Sequence, residues 1–320
     1  MRAFAARGHK PGLASARARP HNAPVHALLV PADVSRAEAL ARCEAYLATK
    51  VRHWKLARLG LPRAARDGFV ALLAWHSLAR ELADLPSGFE RRRGLDELGH
   101  ELELALRENP ASAIGRALSY AARRHELAEE LLRRPLLERG RDEHLATFET
   151  REALLGHARA LAVPEGRLYL ALFGQANARN EALADACALA LQRTHWLAHL
   201  GANLARGRVH LPMDELLRAR VELGELTRNS GELSPALVSV LASELRQVRE
   251  LYARGWNLCP ALGPLRGRLL AFVLRWHAAT LAALEARALD VRRGPPSAGW
   301  LRLLACASAS LFSSAAPRLS

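Results

Sequence analysis

Apolar runs of membrane length are missing from this sequence. No stretch reaches the roughly 18 apolar residues that a spanning helix requires, and the nearest, Trp300 to Phe312, is interrupted by Arg302. Cysteine is scarce. Cys43, Cys187, Cys259 and Cys306 lie far apart and none belongs to a C-x-x-C pair. That spacing argues against a zinc site or a disulfide framework and points to buried free thiols in a reducing compartment. Aromatic residues make up only 5% of the chain, so its basic segments lack the stacking residues of a nucleic-acid module. Strand-like alternation and internal repeats are absent as well. No acid precedes Asp33, and no apolar segment near the start is long enough for a secretory signal.

Half of the residues are hydrophobic, yet the mean hydropathy is −0.06, a soluble globular composition. Ala, Leu, Arg and Glu dominate, and straight-chain residues lose little rotamer freedom in a helix. The net charge of +14 predicts attraction to polyanions: nucleic acid, acidic lipid or a phosphorylated ligand. Part of it is local, because residues 1–31 hold Arg2, Arg7, Lys10, Arg17 and Arg19. They read as a basic disordered tail or a targeting segment, ahead of a helical domain at 32–312 and a short tail at 313–320. The runs Arg91 to Arg93, Arg123–Arg124 and Arg133–Arg134 sit among Glu and Leu and read as solvated helix faces. Nucleic acid is therefore not the expected partner. A cytoplasmic protein is expected, with contact at a membrane surface through Trp300 to Phe312, or organellar targeting by residues 1–30, as alternatives.

After Pro31 the periodicity gives a succession of helices: Ser35 to Leu59, Arg63 to Leu85, Gly94 to Glu108, Ser112 to His125, and Leu127 to Gly140 with a kink at Pro135. Thr150 to Leu161 and Gly166 to Phe173 follow as two helices. Asn180 to Ala205 is the longest uninterrupted pattern. Asp214 to Val221, Ser234 to Gly255, Pro264 to Leu289 and Trp300 to Leu311 complete an all-α single domain, expected as a helical bundle around a central cavity.

Four stretches carry a resemblance. Ala71-Leu72-Leu73-Ala74-Trp75-His76-Ser77-Leu78-Ala79-Arg80-Glu81-Leu82-Ala83-Asp84 lies where a helix reading A-L-Y-A-F-C-R-x-x-D-D-x-x-D would fall. Ala113-Ile114-Gly115-Arg116-Ala117-Leu118, then Arg124-His125-Glu126-Leu127, follows a P-x-x-R-A-L and R-Y-x-L pattern. Phe148 to Leu155, then Val163 to Gly174, follows Y-x-T-x-x-E-L-L and A-x-x-x-G-x-L-x-L-x-x-F-G. The most specific is Leu191 to Asn203 continued by Ala205 to Leu216, against L-Q-x-T-N-I-L-R-D-x-x-x-D and A-R-G-R-x-Y-L-P-x-D-E-L. In this order they resemble the squalene/phytoene synthase family, most closely from Ile114 to Leu217 and collinearly from Ala39 to Asp290.

The resemblance implies head-to-head condensation of two prenyl diphosphates, with Mg²⁺ bridging the leaving diphosphate to two Asp-rich motifs. Here the first motif has become Arg80, Glu81 and Asp84, and the second His195, His199 and Asn203. Glu81 and Asp84 are the remaining candidate metal ligands. Gln192, Arg206 and Arg208, with Arg80, are the candidate substrate- or phosphate-binding residues. A surviving cavity is expected to be lined by Trp75, His76, Glu81, Asp84, Gln192, His195 and His199. Arg80 puts a permanent cation where an acid is expected, and the second motif has lost both acids. His195 and His199, spaced i, i+4, could instead hold a transition metal, or could bind a diphosphate directly with Arg80. Three functions follow. The first is a non-catalytic binding or assembly-type protein without a cofactor, since the superfamily includes a mitochondrial complex I assembly factor lacking intact acidic motifs. The second is an active, magnesium-dependent prenyltransferase. The third is a basic helical protein that binds polyanions. Their partners are an isoprenoid such as a prenyl diphosphate, another protein, or a membrane surface.

Overall fold

The structure is a computed structural model that describes residues 26–51, 54–59, 61–142, 147–227, 232–296 and 300–312. The segments 1–25 and 313–320, where tails were expected, lie outside the described residues. A 3-10 turn at Ala27–Leu29 buries Leu28 and Leu29 in the core, so the packed body takes in residues ahead of position 32.

The helices are α1 (Arg36–Lys50), α2 (Trp54–Leu59), α3 (Arg63–Ala83), α4 (Gly88–Leu106), α5 (Ala113–Arg124) and α6 (Glu129–Asp142). Then come α7 (Arg151–Leu172), α8 (Ala178–Ala198), α9 (Leu200–Leu204), α10 (Met213–Arg218) and α11 (Leu223–Thr227). The last four are α12 (Pro235–Gly255), α13 (Leu258–Ala261), α14 (Pro264–Glu285) and α15 (Trp300–Phe312). Side chains cap several N-termini: Ser35, Ser87, Ser112, Thr150, Asn177 and Ser234 each accept a hydrogen bond from an amide three residues on.

Several boundaries differ from the sequence reading: α4 begins at Gly88 rather than Gly94, and α14 ends at Glu285 rather than Leu289. The stretch from Ser35 to Leu59 is two helices, α1 and α2. Thr150 to Phe173, expected as two helices broken near Pro164, is the single helix α7 with Pro164 inside it. Asn180 to Ala205, expected as one helix, ends at Ala198, where His199 leaves helical geometry (φ −108°, ψ 14°) before α9. A short parallel strand pair, β1 (Thr147–Phe148) with β2 (Val209–Pro212), was not anticipated.

The core has two large lobes and a small third cluster, Phe148, Leu154, Ala158, Leu161, Leu189 and Trp196, where α7 meets α8. One large lobe gathers α1 to α6, and the other α8 to α14. Helix α7 is their common wall, with Leu168 and Leu172 in the first lobe and Leu170 in the second. All four cysteines are free and buried, and burial pushes the Cys43 thiol up to about 12. Gly115 opens α5 where the buried Glu101 carboxylate accepts from the amides of Ala111 and Ser112. A Cβ at Gly115 would overlap that carboxylate. Gly115→Ala is expected to lower stability by about 1–3 kcal/mol, as overpacking does, measured by urea denaturation.

Candidate functional site

Helix α3 is buried on nearly every side, and its pattern of exceptions locates the site. Between Gly68 and Asp84 only Phe69, Leu73, Ser77, Arg80, Glu81 and Asp84 keep accessible surface. All but Glu81 recur every three or four residues, the spacing of one helix face. Helix α8 repeats the pattern: between Ala186 and Leu200 only Ala188, Leu191, His195 and His199 stay accessible. Because Arg80 acts on His195 and His277, and Asp84 on His199, these accessible faces turn toward one another, and with Tyr169 of α7 and His277 of α14 we read the space they border as a recess.

The recess is graded in polarity. At one end the rings of Phe69, Tyr169 and Phe173 follow one another, with centroids 5.9 and 6.5 Å apart. There Gly68 packs so tightly under Leu172 and His125 that a Cβ would collide with both, and Arg266 Nη1 donates to the Phe173 carbonyl. Midway, Glu165 takes one arginine on each carboxylate oxygen, Arg80 Nη2 at 2.5 Å and Arg139 Nη2 at 2.8 Å. His76, beside them, has Nδ1 3.3 Å from the Tyr169 hydroxyl. At the far end Arg206 Nη1 lies 3.0 Å from Asp84 Oδ1.

Arg80 retains 49% of its side-chain surface, while Glu165 retains 9% and Arg139 9%. Arg80 also carries the desolvation of an interior group. Accessible surface with an interior environment is what a cavity wall gives. The imidazoles behave alike. Burial pushes His76 down to about 4, Glu165 opposing and Arg80 and Arg139 adding. Burial, then Arg80 and Arg302, pushes His277 down to about 4. His195 falls well below its ordinary value through burial, then His199, Arg80, His277 and Arg139. For Glu165 burial acts upward, but Arg80, His76 and Arg139 hold the carboxyl below its usual range. At neutral pH the recess therefore presents neutral imidazoles around an arginine–carboxylate–arginine cluster.

Residues 47–302 match the sequence profile of the squalene/phytoene synthases. The chain belongs to that family. Among solved structures it is similar to a squalene synthase from Alicyclobacillus acidocaldarius (24% identity, TM-score 0.72, covering 81% of this chain and 96% of that one). It is also similar to a dehydrosqualene synthase solved with a ligand (20%, TM-score 0.77, 86% and 96%) and to YisP from Bacillus subtilis (16%, TM-score 0.65, 85% and 96%). No curated protein sequence matches it at a significant level. The all-α isoprenoid-synthase fold expected from the sequence is the fold observed.

Within that family fold the two stretches singled out in the sequence on α3 and α8 meet in part. Arg80 acts on His195, and Asp84 with Arg206 acts on His199, across the gap between α3 and α8. The His195 and His199 rings lie 4.4 Å apart. Glu81 does not join them: it faces α1, accepting from the Tyr46 hydroxyl at 2.9 Å and from Lys50 Nζ at 2.7 Å. The Glu81–Asp84 pair expected as one metal site is thus divided between two sets of partners. Asn203 is buried against His210 Nδ1, 3.2 Å away, rather than facing Asp84. Arg208 donates to the Ala83 carbonyl at the C-terminus of α3, where a cation is favoured. Gln192 is buried. Trp75, expected in the lining, is packed at 2% exposure in the first lobe. Among the described residues no group of three or more His, Cys, Asp or Glu is arranged to hold a metal, and no helix is long and apolar enough to cross a membrane.

Glu165, Arg139, Tyr169 and His277 were missed in the sequence. Their one signal was a polar residue in an otherwise apolar helical pattern. For Glu165 even that was hidden, because Pro164 and Gly166 made its neighbourhood read as a break.

Proposed function

We propose that this squalene/phytoene synthase-family protein no longer condenses prenyl diphosphates with magnesium and acts as a non-catalytic binding or assembly-type protein. One observation carries the reading: Arg80, where the family has an acid, bonds Glu165 and faces His195. Ionising an allylic diphosphate frees a leaving group of about three negative charges, which metal ions held by carboxylates would have to neutralise. Magnesium takes hard oxygen ligands in near-octahedral geometry. Of the four side chains opposed across α3 and α8, only Asp84 is a carboxylate, and Arg206 engages it. Glu81 is turned to Lys50. The donor set does not fit magnesium.

The test is incubation with farnesyl diphosphate and geranylgeranyl diphosphate, with and without Mg²⁺, following diphosphate release and lipid products. Both are expected to stay at the level of a protein-free blank. Magnesium-dependent release would overturn the proposal in favour of an active prenyltransferase, with Glu81→Gln and Asp84→Asn as the next variants.

A further inference from the structure

We infer that the recess takes an amphipathic monoanion, an apolar chain ending in a single negative charge such as a carboxylate, and that it does so without any metal. The inference rests on the non-catalytic reading above and goes further by naming the ligand's charge.

The charge balance decides it. Arg80, Arg139 and Glu165 together leave one positive charge at mid-recess. The imidazoles add none at neutral pH, since His76, His195 and His277 are all held deprotonated. The charged groups acting on His195 and His277 are cationic throughout: Arg80 and Arg139 on the first, Arg80 and Arg302 on the second. An excess charge inside a poorly solvated wall is costly unless a counter-ion meets it. One negative charge cancels the excess of the Arg80–Arg139–Glu165 cluster, whereas a diphosphate head would bring about three and, even with Arg302 counted beside it, leave an excess of the opposite sign.

The donors suit a compact anion. Among the described residues Arg80 bonds Glu165 through Nη2, and its side chain keeps 49% of its surface accessible. The fork of a guanidinium matches a carboxylate, and such charge-assisted bonds are the strong ones. His195 and His277, neutral, each offer one further N–H. The polarity gradient fixes the orientation, with the chain running toward Phe69, Leu73, Tyr169 and Phe173 and the head at Arg80. Pockets of this kind are mostly apolar with a few converging polar groups.

The test is isothermal calorimetry on the full chain in EDTA at pH 7.5, with one isoprenoid chain bearing three heads: farnesoic acid, farnesol and farnesylamine. The acid is expected to bind about 10- to 100-fold tighter than the alcohol, the range of a hydrogen bond to a charged group, and the amine weakest. Arg80→Gln should bring the acid to the affinity of the alcohol, and Arg80→Lys should retain most of the preference. Equal binding of acid and alcohol, or no binding of any of the three, would overturn this inference and leave the non-catalytic reading intact. So would an undiminished preference in Arg80→Gln. A farnesyl diphosphate titration whose affinity rises with added Mg²⁺ would overturn both. The head-group series uses the unaltered protein, so the inference stays testable even if the Arg80 variants fold poorly.

Discussion

Replacing Glu244 with alanine is expected to destabilise the protein by about 3–5 kcal/mol, the range for removing one partner of a buried ion pair. Glu244 sits on α12 at 2% exposure. Arg193 of α8 reaches its Oε2 at 2.5 Å and Arg151 of α7 its Oε1 at 2.7 Å. Gln247, one turn on, accepts from both arginines, and Glu215 of α10 takes the other side of Arg151. Three helices of the second lobe and the shared wall α7 are thus pinned at one polar junction. Arg151 keeps Glu215 when Glu244 is lost, but Arg193, only 3% exposed, keeps a neutral amide alone. The large cost comes from that stranded cation. Urea denaturation checks it, with Glu108→Ala as the contrast: Glu108 pairs with Arg123 at the surface, and its loss should stay within about 1 kcal/mol. Replacing Glu244 and Arg193 together by leucine and methionine should recover most of the loss, because an apolar pair strands no charge. If Glu244→Ala costs no more than Glu108→Ala, the junction does not hold these helices together.

Helix content was legible because it depends on composition and a 3.6-residue period, and α3 was read almost to the residue. The errors came where distant contacts overrule local signals. Pro164 removes an amide and normally breaks a helix interior, yet α7 runs through it, packed against α6, α8 and both lobes of the core. The opposite error came at His199. Its surroundings read as helix, but Gly201 lies against the backbone carbonyls of Val291 and Arg292, where a Cβ would sit only 3.1 Å from each oxygen. The chain breaks at His199 and resumes as α9 under that turn. The site was half legible for a related reason. Motif order gives the positions on α3 and α8, but not which way each side chain is drawn. Glu81 looked like a companion of Asp84 until Tyr46 and Lys50, more than thirty residues upstream, gave its carboxylate other partners. The partner of Arg80 lies 85 residues away, next to a proline that reads as a helix break. That pairing is a property of the folded bundle and has no local signature.

The recess should also make the protein acid-sensitive from just below neutrality. His76 is 4% exposed, and its folded-state value of about 4 lies below the ordinary 6.5. Between those two values the unfolded chain binds the proton and the folded chain does not, so stability falls as the pH drops through that window. The contribution is fully present above pH 6.5 and is lost on the way to pH 4, reaching about 3 kcal/mol for His76 at roughly 1.4 kcal/mol per unit. His277 and His195 are displaced in the same direction and steepen the fall. Glu165 adds a later stage. Its carboxyl is depressed from 4.5 to about 2, so the stability it lends is lost as the pH falls below 4.5. The two stages act in the same direction and are coupled, because a charged His76 would be stabilised by Glu165 but repelled by Arg80 and Arg139. Urea unfolding at half-unit steps from pH 7.5 to 4.5 should therefore give a free energy that declines steadily, with more than one proton taken up per molecule unfolded. His76→Asn, which cannot titrate, should reduce that uptake by about one proton at pH 5, even if it lowers stability at pH 7.5. A profile flat from pH 7.5 to 5 would mean that the imidazoles are hydrated and charge freely. The neutral recess, and the single positive charge assigned to it, would then have to be abandoned.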